Sequence, residues 1–480
     1  MAKKSIKKNY IYNVSYQILL LLIPLITTPY LSRVLGADGV GTASYVESVV
    51  SYFTLVATMG MTTFGQREVS YLQNDKEGRT KVFWEVKLLE IFSSILCIVT
   101  YIIFSFNQTN SSLYFVLIFN LLSVIANVTW LFQGMEEFGR IVFRNIIFKI
   151  INIIYVFLVV RTKDDLIWYL FGLSFFTLLG NLSLWFQLPQ FIGLPQWSKL
   201  KPLRHMKVVI SLFIPTMAIQ IYTVLDKTMI GVITRNSFEN GYYEQAIKIS
   251  RMVLTLVTSL GTVMIPRIGH HFEKNEQHVV KQLMYRGYRF VWFLGIPLCF
   301  GLMMVSSSFV PWFLGEGYDQ VTPLLSILAL LILAIGINNV TGMQYLIPTK
   351  RQNIFTITVI VGAVTNFVFN TIFIPLFQSV GAAIASVLAE TTIAVTQLII
   401  VRKELSMWKI IKEGVHYYIA GGLMVLVLCP VRVYLSPSVF HTAVIVVCGA
   451  IVYFAALLIM KDEFLLSNAR IILKKLKLVK

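Results

Sequence analysis

The stretch Thr27–Tyr45, TTPYLSRVLGADGVGTASY, closes one long apolar run and opens another. Arg33 stands at the end of the first run. The chain is then expected to turn through Gly36, Gly39 and Gly41, where glycine tolerates backbone angles that other residues avoid. Two membrane spans joined by a tight turn are the simplest reading. The rest of the chain supports it: of 480 residues, 56% are hydrophobic and 13% charged, against about 25% charged in a soluble domain. A mean hydropathy of +0.73 would leave a soluble protein with more apolar surface than it could bury. A spanning helix takes about 20 apolar residues, so the chain is long enough for a dozen or more.

The net charge of +18 does not indicate nucleic acid. Its basic residues occupy short gaps between apolar runs, the pattern of the positive-inside rule, reinforced by anionic headgroups. Cys97, Cys299, Cys429 and Cys448 lie inside apolar runs without CxxC or CxxH spacing, so no metal site or disulfide framework is indicated. Lys3, Lys4, Lys7 and Lys8 precede the first span, which lacks a small-residue cleavage site and reads as a retained helix.

Fourteen spans are expected, at 10–33, 42–65, 85–106, 112–134, 142–160, 166–188, 208–233, 242–265, 287–310, 321–347, 354–375, 380–401, 414–434 and 440–460. The two tails and the even-to-odd loops hold most of the 41 Lys and Arg. They include Arg67, Lys76, Arg79, Lys81, Lys199, Lys201, Arg204, Arg267 and Arg289. The opposite loops hold Arg161, Lys163, Arg235 and Arg432. This imbalance puts both termini in the cytoplasm and the Gly36 turn on the outer face. The tail Arg470–Lys480, RIILKKLKLVK, is a basic amphipathic piece suited to the inner leaflet.

An internal repeat organises the spans. Laying residues 28–75 over 228–275 matches Gly41 with Gly241 and Arg67 with Arg267. Further on, Asn152 meets Asn366. The expected architecture is an all-α polytopic membrane protein with two pseudo-symmetric six-helix lobes plus two C-terminal helices. The N-lobe covers 1–190, a linker 191–207, the C-lobe 208–403, helices 13–14 404–460, and a basic tail 461–480. An even number of spans per repeat gives both lobes the same orientation, a design suited to alternating access.

Ionisable residues inside spans are costly and mark candidate pathways. Arg33 and Glu47 lie on the first two spans, and Asp226 and Lys227 on the seventh. On the eighth, Glu244, Lys248 and Arg251 form an i, i+4, i+7 stripe. Arg33, Lys227, Lys248 and Arg251 are the candidates for a cationic cavity holding phosphate oxygens. Asp226, Glu244 and Glu47 are the acidic or ion-coupling candidates. Arg144 and Lys149 read as snorkelling to headgroups, Glu85 and Lys87 as interfacial, and Glu390 as a helix–helix hydrogen bond. Asn127, Asn338, Asn366 and Asn370 read as interhelical glue, and GAAIAS at 381–386 as a small-residue packing face. No phosphate loop, GxSxG, DxD or metal spacing is present, so no catalytic residue, metal or cofactor is assigned. Coupling to H+ or Na+ stays open.

PYLSRVLGADGVGTASY resembles the first-helix signature of bacterial polysaccharide repeat-unit (O-antigen and capsule, Wzx-type) flippases, which belong to the MATE-like multidrug/oligosaccharidyl-lipid/polysaccharide superfamily. LDKTMIGVITRNSFENGYYEQAIKI (225–249) and TNFVFNTIFIPLFQSVGAAIAS (365–386) resemble that family's helices 7–8 and 11–12. The resemblance implies fourteen helices in the bacterial cytoplasmic membrane, a cationic cavity, and export of undecaprenyl-pyrophosphate-linked oligosaccharide. Expected partners are that lipid-linked oligosaccharide, membrane lipids and polysaccharide polymerase machinery. Competing readings are a cation-coupled drug antiporter, which favours an acidic cavity, a lipid II flippase, and a membrane polymerase or ligase. The last would want a large external loop, and the external loops here are short.

Overall fold

A computed structural model describes residues 6–434 and 436–468, without side-chain detail before Leu22 or at 215, 218, 219, 222, 262, 263 and 434. Lys3, Lys4 and the expected amphipathic tail Arg470–Lys480 lie outside the described residues. Every regular element within them is helical. The helices are α1 (Ile6–Thr58), α2 (Met61–Tyr71), α3 (Lys76–Phe106), α4 (Ser111–Val116), α5 (Ile118–Ala126), α6 (Thr129–Gly134), α7 (Phe138–Val159) and α8 (Leu166–Ser183). Then come α9 (Met206–Thr234), α10 (Ser237–Thr258), α11 (Gly261–Glu273), α12 (Gln277–Leu314), α13 (Val321–Leu328) and α14 (Leu331–Asn338). A wider-turned stretch, Asn339–Leu346, leads to α15 (Gln352–Val401), α16 (Met407–Tyr434) and α17 (Val439–Ile459).

Nine helical stretches among the described residues are long and apolar enough to cross a membrane. They cover expected spans 3–6 and 9–14. Two of those spans share the fifty-residue α15, which breaks at Gln378 (φ 53°). The remaining four expected spans follow α1, α9, α10 and the start of α11. Those helices carry all seven candidate site residues.

The opening hairpin differs from its expected form. Only Gly36 leaves helical geometry (φ 68°, ψ 177°), while Gly39 and Gly41 are helical. One left-handed residue is enough to reverse the chain, and glycine meets no Cβ penalty there. A Cβ at Gly36 would have room, 3.8 Å from Lys163 Cε, so the backbone angle alone selects glycine.

The chain forms two compact units, Met1–Thr228 and Met229–Lys480. The division falls inside α9, beyond the 191–207 linker read from the sequence. The reason is packing: Val209 joins the first unit's core with Phe64 and Phe83, and the Thr228 hydroxyl lies 3.0 Å from those of Ser48 and Tyr52.

Each unit repeats one order of elements. In the first, the Gly36 break is followed by the short α2, the long α3, a helix broken at Asn127–Val128, and the pair α7–α8. In the second, Arg235 (φ 52°) breaks the chain, and α11, α12, a helix that widens after Asn338, and the two halves of α15 follow. The first unit's core centres on Trp130, stacked 5.3 Å from Phe83. Gly65 lets α2 lie against it, since a Cβ there would sit 2.6 Å from the indole.

The two charges expected at the interface, Glu85 and Lys87, are fully buried instead. Lys87 pairs at 2.5 Å with Glu90, which is also 0% exposed. Lys87 also donates to Asn127 O at 2.8 Å, a carbonyl left open where α5 stops. The Glu85 carboxylate, also buried, accepts from Lys201 N (2.8 Å), Arg204 (2.6 Å) and His205 (2.8 Å), and so ties the 202–205 turn to α3. Arg79, counted above among loop charges, is buried and donates to the carbonyls of Leu72, Gln73 and Phe191. Of the polar residues read as interhelical glue, Asn338 on α14 donates to Glu390 on α15 at 3.0 Å, whereas Asn370 donates to Asn366 at 3.0 Å within α15.

Removing one member of a buried pair leaves the other uncompensated, at a cost of about 3–5 kcal/mol, while replacing both with apolar groups is close to neutral. Lys87→Met is therefore expected to destabilise the protein in detergent by about that amount. Lys87→Met/Glu90→Leu should recover most of it in denaturant or thermal unfolding.

Candidate functional site

On α10, Tyr243, Ala246, Ile247, Ser250, Leu254 and Val257 are buried against the second unit. Tyr243 Oη lies 3.0 Å from Ser386 Oγ, and Ser250 donates to Leu328 O at 2.9 Å. The Ser386 contact uses the small-residue face Gly381–Ser386, whose packing role the sequence anticipates. Glu239, near the start of α10, accepts from Ser379 N at 3.1 Å and from the Ser379 hydroxyl. That carboxylate caps the second half of α15 just after its break.

These contacts fix the rotation of α10 and decide where its other face points. Glu244 and Lys248 are half-buried and Arg251 is exposed, with Thr255 continuing the stripe. The predicted i, i+4, i+7 row is thus a continuous polar face that the second unit leaves uncovered. It carries two cations and one carboxylate, an inventory suited to an anionic ligand.

In the first unit, buried Asp226 and half-buried Lys227 precede Thr228, whose hydroxyl meets Ser48 and Tyr52. Glu47 is half-buried and adjacent to Ser48. The fold therefore places Asp226 and Lys227 next to the contact by which α9 docks on α1, and Glu47 next to its Ser48 partner. Arg33 is exposed, one turn before the Gly36 break, and donates to Pro29 O at 3.0 Å.

A second polar group was misread from the sequence. Arg144 does not snorkel outward: Nη1 donates to Asn181 Oδ1 at 2.6 Å and Nη2 to Thr129 Oγ1 at 3.4 Å. Lys149 stands at the middle of the 22-residue α7, too deep for its stem to reach either end, at a depth where a charge costs about 2.5–3.5 kcal/mol on insertion scales. Both line a cavity of about 280 Å³ between α7 and α8. The signal was in the sequence: Arg144, Asn145, Lys149 and Asn152 share one helical face, which snorkelling residues need not do.

Two further cavities are present. One of about 840 Å³ lies between the start of α3 and the 193–200 loop, with Lys76, Lys81, Trp84 and Lys199 in its wall. The other, about 300 Å³ and apolar, is formed by α10, α12, α16 and α17. No group of three or more His, Cys, Asp or Glu suited to a metal occurs among the described residues.

Two repeating helical units with a charged helix face in otherwise apolar surroundings define a multi-pass membrane protein of the transporter class. The family of polysaccharide biosynthesis proteins matches residues 6–272, and the chain belongs to it. It is 25% identical over 410 residues to a protein of Escherichia coli (strain K12) assigned as an O-antigen transporter, covering 83% of this chain and 97% of that one. Among solved structures, the lipid II flippase MurJ in an inward closed conformation superposes with a TM-score of 0.74 at 16% identity. The match covers 95% of this chain and 100% of that one. An inward-facing multidrug transporter of the MATE family gives 0.58 at 13% identity, over 82% and 98%. The two superpositions confirm the expected fold.

The open face of α10 predicts a pattern of water accessibility. In a background lacking the four native cysteines, Lys248→Cys and Arg251→Cys are expected to react with a hydrophilic maleimide. Ile247→Cys and Leu254→Cys should stay protected in the native state.

Proposed function

We propose that this protein is a flippase. It moves undecaprenyl-pyrophosphate-linked oligosaccharide repeat units from the inner to the outer leaflet of the bacterial cytoplasmic membrane, by alternating access, for surface polysaccharide assembly. The observation that carries this reading is the uncovered Glu244–Lys248–Arg251 face of α10. A pyrophosphate crossing a membrane must exchange its hydration for fixed donors, and Arg and Lys supply these without a chemical step. Membership of the polysaccharide biosynthesis family and the O-antigen transporter relative support the substrate class.

In this mechanism no covalent bond is made or broken. Lys248 and Arg251, with Lys227 and Arg33, hold phosphate and sugar oxygens while the polyprenyl tail remains in the bilayer. Asp226, Glu244 and Glu47 are the groups that would carry a coupling H+ or Na+. A drug antiporter of the same fold would place carboxylates where this face presents cations.

Lys248→Ala and Arg251→Ala are expected to abolish surface polysaccharide while the protein still inserts at normal abundance. Normal surface polysaccharide in both variants would sink the assignment of this face. We place both termini in the cytoplasm, on the distribution of Lys and Arg. Green fluorescent protein fused after Lys480 should therefore fluoresce, and alkaline phosphatase inserted at Thr109 should be active. The reverse pattern would invert the topology.

A further inference from the structure

The cavity between α7 and α8 is lined by residues of the first unit. Its polar lining is Arg144, Asn145, Lys149 and Asn152 from α7, with Thr177 and Asn181 from α8. No carboxylate is among its lining residues. Two cations with four neutral hydrogen-bonding side chains suit an anion that carries hydroxyl-bearing groups. Asn181 holds the Arg144 guanidinium in place and is itself fixed by donating to Ser123 O at 2.9 Å. The Asn152 Oδ1 is shut off from solvent and has no hydrogen-bond partner among the described residues. A buried acceptor in that state calls for a donor.

Phe143, Ile147, Ile150 and Ile154, at i, i+4, i+7 and i+11, form an exposed apolar stripe on the opposite face of α7, as a lipid-facing surface does. At about 280 Å³ the cavity takes a phosphate with its first attached sugar, not a whole oligosaccharide.

We propose that this cavity is a binding site for the phosphate-bearing head of the lipid-linked substrate. The assignment rests on the flippase reading and adds residues of the first unit to Lys248 and Arg251 of the second. Lys149 is the phosphate-contacting cation, and Asn152 and Thr177 face the first sugar.

The test uses the full-length protein in a neutral detergent, with farnesyl pyrophosphate as probe and farnesol and phosphatidylglycerol as comparators, followed by native mass spectrometry. Lys149→Gln should weaken farnesyl pyrophosphate binding by about tenfold or more, with farnesol and phosphatidylglycerol binding unchanged. Because Arg144 also supports Asn181, Lys149→Gln is the deciding variant, and Arg144→Gln is expected to act in the same direction. Lys248→Gln/Arg251→Gln should keep the Lys149-dependent component. The two assignments therefore fail separately: the α10 face by intact surface polysaccharide, this cavity by intact pyrophosphate affinity. Unchanged affinity in Lys149→Gln overturns the proposal. An equal loss of phosphatidylglycerol binding also overturns it, by assigning the cavity to a bulk membrane lipid.

Discussion

A helix that stops inside a membrane leaves carbonyls and amides with no water to receive them. Satisfying those groups is the constraint on which the rest of this structure depends. The break at Asn127–Val128 shows how it is met. The Asn127 side chain accepts from Thr129 N at 2.9 Å and starts α6. The Asn127 carbonyl receives Lys87, and Glu90 neutralises Lys87. One backbone interruption thus accounts for two buried charges. The second unit handles its own break in the same currency, with Glu239 receiving the freed Ser379 amide after Gln378.

The charges here therefore divide into two groups. Lys87, Glu90, Glu85, Arg79 and Glu239 are buried and bond backbone groups, one another, or Arg204, His205 and Ser379. Lys248, Arg251 and the Arg144–Lys149 pair lie on faces or cavities that their own unit leaves open. The first group holds the helices at fixed rotations, and those rotations aim the second group. Tyr243 and Ser250 illustrate the link: by locking α10 to its unit, they leave Glu244, Lys248 and Arg251 on the uncovered side.

The repeat gives the same logic a second expression. Gly36 and Arg235 mark equivalent breaks, yet only one is glycine. At Arg235 the following Asn236 caps α10 by accepting from Phe238 N at 3.1 Å. The left-handed turn is thereby held by a local hydrogen bond as well as by backbone freedom. Breaks at corresponding places were built with different side chains, in keeping with few sequence identities between the halves while the order of elements agrees.

Hydropathy and charge spacing were enough to determine the helical membrane class, the duplicated order of elements and the charged stripe on α10. These signals are local: apolar run length reports the bilayer, and a 3.6-residue period reports a helix face. The sequence also marked Gly36, though it could not show that Gly39 and Gly41 continue the helix. Whether a charge is structural or open depends on what lies opposite it, and only the tertiary structure decided that. Lys87 and Lys149 look alike in sequence, each a lysine in an apolar run. One meets a glutamate on its own helix and a carbonyl from a broken neighbour. The other meets a cavity, because α8 presents Gly180, Thr177 and Asn181 there instead of a carboxylate.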